Sequence, residues 1–153
     1  MSNPPQPYFH IEEKYLVGVE VLDRQHQEIV TLVGELYESI IAKEPRDVHL
    51  ELLTRFVKLA KTHFATEEQV LCTHRYPGYL RHKAAHEGLV RNLMDYRERI
   101  VRRERKLSVE YVDLMKLWLL DHFAVFDLEY AKFLALEKHP GEKASKEGAA
   151  AHP

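Results

Sequence analysis

The chain has 153 residues, 45% of them hydrophobic, and its 22 lysines and arginines nearly balance its 24 aspartates and glutamates. This length suits one domain with a sizeable core, and the near-neutral charge excludes the basic footprint of proteins that bind nucleic acid or anionic membranes. The single cysteine excludes an internal disulfide, and no uninterrupted apolar run is long enough to insert across a membrane.

Helix breakers divide the chain into an arm, a helical domain and a tail. Three prolines in the first seven residues predict a disordered N-terminal arm over residues 1–8. This arm lacks the order of a signal peptide, so we expect a cytoplasmic protein. After an irregular lead-in, the predicted helices cover about residues 22–42, 47–73, 79–105 and 108–137. The domain therefore spans residues 9–137, and the composition of residues 138–153 predicts a disordered tail.

Each predicted helix carries apolar residues at steps of three and four, the pattern of a face turned towards a bundle core. Four such helices joined by short connections predict an all-α fold, an antiparallel up-down-up-down four-helix bundle with an irregular N-terminal arm. Histidines and carboxylates interrupt these faces. His82 and His86 are four residues apart, as are His63 and Glu67, so each pair points one way from its helix. The full set is His26, His63, Glu67, His82, His86, His122 and Asp127.

These polar residues predict a metal site. A lone histidine on an inner face is usually a hydrogen-bonded core residue, but five imidazoles and two carboxylates cannot easily satisfy one another in an apolar core. Zinc takes about four ligands, so seven donors suit two six-coordinate ions that share the carboxylates. Nitrogen and oxygen donors without a thiolate fit iron, and ligand type alone leaves manganese or zinc open.

One spacing departs from an ideal helix. His122 and Asp127 are five residues apart, so they lie about 140° apart around a regular α-helix. Either Asp127 reaches the site from the flank of its helix, or a π-bulge brings positions i and i+5 into line. We expect one of these two distortions in the fourth helix.

In the order and spacing of these residues, the chain resembles the single-domain bacterial hemerythrins. The matching motifs cover roughly residues 9–137. They are Tyr15-Leu16-Val17-Gly18-Val19, Asp23-Arg24-Gln25-His26, His63-Phe64-Ala65-Thr66-Glu67-Glu68, Tyr76-Pro77, His82-Lys83-Ala84-Ala85-His86, Trp118-Leu119-Leu120-Asp121-His122, Asp127 and Tyr130. All seven metal-ligand positions of the family are filled by the expected residue types in the expected order.

The resemblance implies two iron ions, Fe²⁺ or Fe³⁺, joined by an oxo or hydroxo bridge. It assigns His82, His86 and His122 to one iron and His26 and His63 to the other, which keeps an open position for O2. It gives Glu67 and Asp127 the role of bridging carboxylates. It also implies a dry O2 pocket, lined by Ile29, Phe64, Trp118, Leu119 and Phe123.

The function implied is reversible O2 binding, by a carrier or store that supplies an oxygen-consuming enzyme. The alternatives are an O2 or redox sensor that acts through a partner, a di-iron oxidase or peroxidase, and a bundle that stores metal. Five neutral imidazoles among seven ligands argue against oxidation chemistry, so we expect no catalytic residue. Outside the site, we expect Glu68 to be exposed and Cys72 to be at least half-buried. The remaining histidines, His10, His49, His74, His139 and His152, are expected on the surface.

Overall fold

The computed structural model describes residues 3–138, and they form a helical bundle. The main helices are α1 (Glu20–Ile41), α2 (Arg46–Thr73), α3 (Tyr79–Val101), α4 (Val109–His122) and α5 (Leu128–Lys138). A π-helical segment, Phe123–Asp127, joins α4 to α5 without a break, and a short 3₁₀ turn, Glu13–Tyr15, precedes α1. The predicted all-α four-helix bundle is confirmed, with α4, the π segment and α5 together forming its fourth helix.

Three helices are followed by a residue in the left-handed backbone conformation. Lys43, Arg75 and Arg103, which follow α1, α2 and α3, all have positive φ angles, 55°, 53° and 61°. In each case the next residue's N–H reaches back five residues to a helix carbonyl, as in Glu44 N–H to Ser39 O at 3.0 Å. These are Schellman endings, which usually place glycine at the left-handed position. Because α3 ends this way, it stops at Val101 and not near the predicted residue 105.

The buried side chains form two apolar clusters, and the polar stripe lies between them. On α1, His26 separates Leu22 in the smaller cluster from Ile29 in the larger cluster. On α2, Glu67 likewise separates Leu71 from Phe64. In the fourth helix, Asp127 separates Tyr130 of the smaller cluster from Phe123 of the larger cluster. The fold therefore holds one polar layer across all its helices.

Several contacts hold the segment before α1 against the bundle. Asp23 on α1 accepts hydrogen bonds from the backbone N–H groups of Val17 at 2.8 Å and Gly18 at 3.1 Å. Tyr8, the last residue of the predicted arm, stacks on Tyr37 with ring centroids 4.0 Å apart. Of the tail predicted over residues 138–153, only its first residue lies inside the described range. Among residues 3–138, no helix is both long and apolar enough to cross a lipid bilayer.

The helix endings yield a stability test. Replacing Lys43 by glycine should raise the free energy of unfolding by about 1 kcal/mol, because a residue with a Cβ is strained at φ 55° and glycine is not. Replacing the neighbouring Ala42, at φ −72°, by glycine should lower it by about 0.5–1 kcal/mol through backbone entropy alone. Denaturant unfolding of the two variants measures the sign of each change in the free energy of unfolding. If both variants lost stability by the same amount, the assignment of strain to Lys43 would be contradicted.

Candidate metal centre

The structure brings all seven predicted donors into one buried layer. Helix α1 contributes one residue, α2 and α3 contribute two each, and the last two come from α4 and from the end of the π segment. Each of these residues is between 0 and 4% exposed. The potential ligand atoms of the five histidines and Glu67 fall into two groups, each with all its atoms within 4.8 Å of one another. The groups are His26, His63 and Glu67, and Glu67, His82, His86 and His122.

Glu67 faces both groups of histidines with different oxygens. Its Oε1 lies 2.7 Å from His82 Nε2 and 3.2 Å from His86 Nε2. Its Oε2 lies 3.3 Å from His63 Nε2 and 3.6 Å from His26 Nε2. A carboxylate with one oxygen towards each group has the arrangement of a bridging ligand.

Asp127 also turns one oxygen towards each group of histidines, and the π-helical segment places its side chain where it can do so. Its Oδ1 lies 3.1 Å from Nε2 of both His82 and His122, and its Oδ2 lies 3.2 Å from His26 Nε2. Asp127 ends the π segment that directly follows His122, so the extra residue per turn brings positions five apart to the same face. Of the two expected distortions, the structure therefore has the π-helical one.

Many polar atoms in this layer lack a hydrogen-bond partner. The buried atoms without one include Nε2 of His26 and His63, Oε1 of Glu67 and both oxygens of Asp127. The Nε2 atom of His122 lies only 3.1 Å from Nε2 of both His82 and His86. Burying unpaired polar atoms costs about 1–3 kcal/mol each, and lone pairs that face one another repel. Cations bound among these atoms would remove both penalties.

Hydrogen bonds behind His63 fix the ring nitrogen that it presents. Thr66 Oγ1 donates to the carbonyl of Thr62 at 2.9 Å and accepts from the Gln25 amide at 3.2 Å. The Gln25 carbonyl oxygen is therefore left to face His63 Nδ1, at 2.9 Å. This arrangement places the ring proton on Nδ1, and the lone pair of Nε2 points into the layer.

Two further contacts reach the layer from outside. Tyr130, which is fully buried, donates its hydroxyl hydrogen to Glu67 Oε2 at 2.9 Å. Glu68 lies 3.0 Å from His86 Nδ1, and its side chain is only 20% exposed. The prediction that Glu68 is exposed was therefore wrong, because a position one turn from Phe64 on α2 faces α3 and not solvent.

A small apolar void of about 10 Å³ lies within the larger cluster and is lined by apolar side chains. Four of the five residues predicted to line an O2 pocket border it: Ile29, Phe64, Trp118 and Leu119. Phe123 does not border the void. Its ring packs on the imidazole of His26, with centroids 4.6 Å apart. The remaining lining residues are Phe56, Ala60, Leu89, Leu93 and Met115.

The predictions for residues outside the site are partly confirmed and partly wrong. Cys72 is exposed, so the expectation of a buried or half-buried thiol was wrong. His10 and His74 are exposed as predicted, and His74 pairs with Glu137 at 2.8 Å. His49 is half-buried with its Nε2 enclosed, which corrects its prediction as a surface residue. Two predicted surface histidines, His139 and His152, lie outside the described residues.

Comparison with known proteins identifies the family. Residues 17–134 match the hemerythrin HHE cation binding domain. The chain belongs to the hemerythrin family.

Curated relatives agree with this membership, and a solved structure agrees with the fold. A bacteriohemerythrin of Pseudomonas aeruginosa is 30% identical over 113 residues, which are 74% of this chain and 72% of that protein. A myohemerythrin of Sipunculus nudus is 29% identical over 126 residues, 82% of this chain and 92% of the relative. A crystal structure of wild-type hemerythrin superposes with a TM-score of 0.71 at 24% identity, covering 74% of this chain and 87% of the other. That last likeness supports the fold.

Members of the hemerythrin family bind O2 at a non-heme di-iron centre, and the donors here fit that cofactor. Imidazole and carboxylate ligands without thiolate suit iron. The unpartnered buried atoms described above are the atoms that two ions would use. The His/Glu clusters of this chain can therefore hold the metal ions of a hemerythrin centre.

Without metal, protons balance the charge of the cluster. Burial raises the pKa of Glu67, but the four histidines that face its carboxylate hold the pKa well below its usual value. Burial and Glu67 raise the pKa of Asp127, but His122 and His26 outweigh them and lower it. Burial lowers the pKa of His26 and His82, and the adjacent carboxylates outweigh it, raising both to about 9. At pH 7 two carboxylates and two imidazolium groups therefore cancel.

Metal binding should consequently release protons. Because His26 and His82 hold protons below about pH 9, the apparent affinity for a divalent metal should rise between pH 7 and 9 and level off above. Calorimetric titration at pH 7 in buffers of different ionisation enthalpy measures the protons released, and a heat independent of the buffer would contradict the prediction.

The stability of the metal-free protein should instead fall as the pH rises. A histidine whose pKa is raised from 6.5 to about 9 contributes stability that is present below pH 6.5 and is lost as the pH rises through 9. Denaturant unfolding of the metal-free chain across this range measures the loss.

Proposed function

We propose that this chain binds O2 reversibly at a di-iron centre and serves as an oxygen carrier or store, with an oxygen-consuming enzyme as the recipient. The observation that carries the proposal is the division of both carboxylates between two groups of histidines. Glu67 and Asp127 each turn one oxygen towards His26 and the other towards His82. Such a layer suits two neighbouring ions, and a single ion would leave part of it unused.

The donor count makes the two metal positions unequal. In this proposal His82, His86 and His122 hold one iron, and His26 and His63 hold the other. Since both positions share the two carboxylates, the second has one protein ligand fewer. When bound, the iron pair supplies an open coordination position and the electrons that O2 binding requires. The protein's own part is to hold the ligands, to orient them through the hydrogen bonds behind their rings, and to exclude water.

The apolar surroundings support binding over oxidation chemistry. The void in the larger cluster has a volume of about 10 Å³ and borders Leu119, Trp118 and Phe64. A space of that size, walled by carbon atoms, disfavours water because water would find no hydrogen-bond partners there. Five neutral imidazoles among seven donors also leave little anionic charge to stabilise highly oxidised iron, so the proposal includes no catalytic residue.

A sensor that acts through a partner is the second candidate function. Its support is a connection between the polar layer and the surface. Asp127 directly precedes α5, and Glu137 near the end of α5 pairs with the exposed His74, which follows α2. A change in the layer could therefore alter the orientation of α5. Carrier and sensor differ in whether O2 leaves unchanged.

Visible absorption spectroscopy tests the proposal directly. Iron-loaded protein, reduced without oxygen, should gain an absorption band when air is admitted and lose it when the solution is purged with argon. Two irons per chain should be measured beforehand. Glu67→Gln should bind fewer than two irons and lose the band, while His74→Ala, which alters an exposed histidine, should retain both. A spectrum that changes once with air and never returns would refute the carrier and favour a sensor that works by oxidation.

The apolar wall yields a second test. Leu119→Ala should speed autoxidation several-fold, because the enlarged void would admit water next to the metal layer, and should lower the free energy of unfolding by about 2–4 kcal/mol. Leu117→Ala changes a leucine that is 62% exposed on the same helix and should leave the rate unchanged. The rate is measured from the decay of the air-dependent band, and equal rates in the two variants would count against Leu119 as part of the barrier.

A further inference from the structure

Two candidate ligands, His63 and His86, differ in the charge of the group that faces their Nδ1 atom. His63 Nδ1 faces the neutral amide oxygen of Gln25 at 2.9 Å. His86 Nδ1 faces the carboxylate of Glu68 at 3.0 Å. In the proposed ligand assignment, these two histidines belong to different irons. The protein therefore supports one metal position with an amide and the other with a carboxylate.

Glu68 holds His86 together with a neighbour on the same helix. Phe64, one turn earlier on α2, stacks on the His86 ring with centroids 3.9 Å apart and planes 12° apart. Glu68 contacts the edge of the same ring. A ring that is fixed on one face and at one edge cannot rotate about its Cβ–Cγ bond without losing a contact. Nε2 of His86 is thereby aimed at the layer, 3.2 Å from Glu67 Oε1.

The charge of Glu68 also affects the ligand atom across the ring. A carboxylate that accepts the Nδ1 hydrogen draws the proton towards itself and leaves the imidazole richer in electrons at Nε2. An imidazole of this kind binds a metal more strongly and stabilises its higher oxidation state. The Gln25 amide, which is neutral, has a weaker effect on His63.

We propose that Glu68 is a positioning residue that strengthens His86 as a metal ligand and makes the His82, His86 and His122 position the tighter of the two. This proposal rests on the metal-ligand assignment of the proposed function. It does not require that O2 binds reversibly.

The surroundings of Glu68 make it suitable for substitution. It lies at an open cleft of about 590 Å³ between α2 and α3, which it shares with the exposed Glu87. Glu68→Gln keeps the shape of the side chain and reproduces at His86 the neutral contact that Gln25 makes with His63. Glu87→Gln removes the same charge from the same cleft at a residue beside His86 in sequence, and serves as the matched control.

The first measurement uses Zn²⁺, which has no redox chemistry. Competition with a chromophoric chelator gives the affinities of the two zinc equivalents in each variant. Glu68→Gln should weaken one equivalent about ten-fold and leave the other unchanged, because loss of an outer partner costs about 10–100-fold in metal affinity. Glu87→Gln should leave both unchanged. Equal affinities in the two variants would overturn the proposal.

The second measurement observes the hydrogen bond itself. In zinc-loaded protein, the NMR resonance of the His86 Nδ1 hydrogen should move upfield in Glu68→Gln and not in Glu87→Gln, because a neutral amide is a weaker acceptor. In iron-loaded protein, Glu68→Gln should raise the reduction potential of the centre. An unchanged resonance would show that Glu68 does not hold His86, whereas a wild-type protein that fails the argon test would refute the carrier and leave this proposal standing.

Discussion

The convergence of lone pairs in an apolar core is the constraint on which the rest of this structure depends. Five imidazoles and two carboxylates meet in a layer between two hydrophobic clusters, with Nε2 atoms of different histidines only 3.1 Å apart. Apolar residues at the same positions would pack without this penalty. A sequence that keeps these donors gains from them only when cations occupy the layer. In their absence, protons on His26 and His82 must neutralise Glu67 and Asp127, which ties the state of the core to pH.

The fourth helix shows how the fold serves that layer. A regular helix that directs His122 inward would direct Asp127 away from the layer by about 140°. The π-helical segment corrects this by one residue, and the helix then continues as α5 with Tyr130 buried in the smaller cluster. Tyr130 in turn donates to Glu67. The irregular segment therefore places Asp127 in the layer, keeps the apolar face in register beyond it, and brings the Tyr130 hydroxyl group to Glu67.

The sequence was sufficient to predict the helices and the donors because both depend on local periodicity. Spacings of four place His63 with Glu67 and His82 with His86 on inner faces, and the spacing of five at Asp127 signalled a distortion. Features that depend on contacts between helices were missed. Glu68 differs from Glu67 by one position, and only the packing of α2 against α3 turns it towards His86. The left-handed residues after three helices were missed because they are lysine and arginine, which carry no signal for that conformation.

In the proposed ligand assignment, the two metal positions differ in what lies behind their ligands as well as in the number of their histidines. All five histidines have the same donor atom, Nε2, aimed into one layer. Gln25 is held by Thr66, which donates to a helix carbonyl, so the partners behind His63 are neutral and half-buried. The His86 side is buttressed by a carboxylate that reaches a surface cleft. Because a charged partner strengthens an imidazole more than a neutral one does, two positions built from the same types of ligand can differ in the electron density at their donor atoms. In an O2-binding centre, such a difference favours a strongly held iron beside a more weakly ligated one with room for O2.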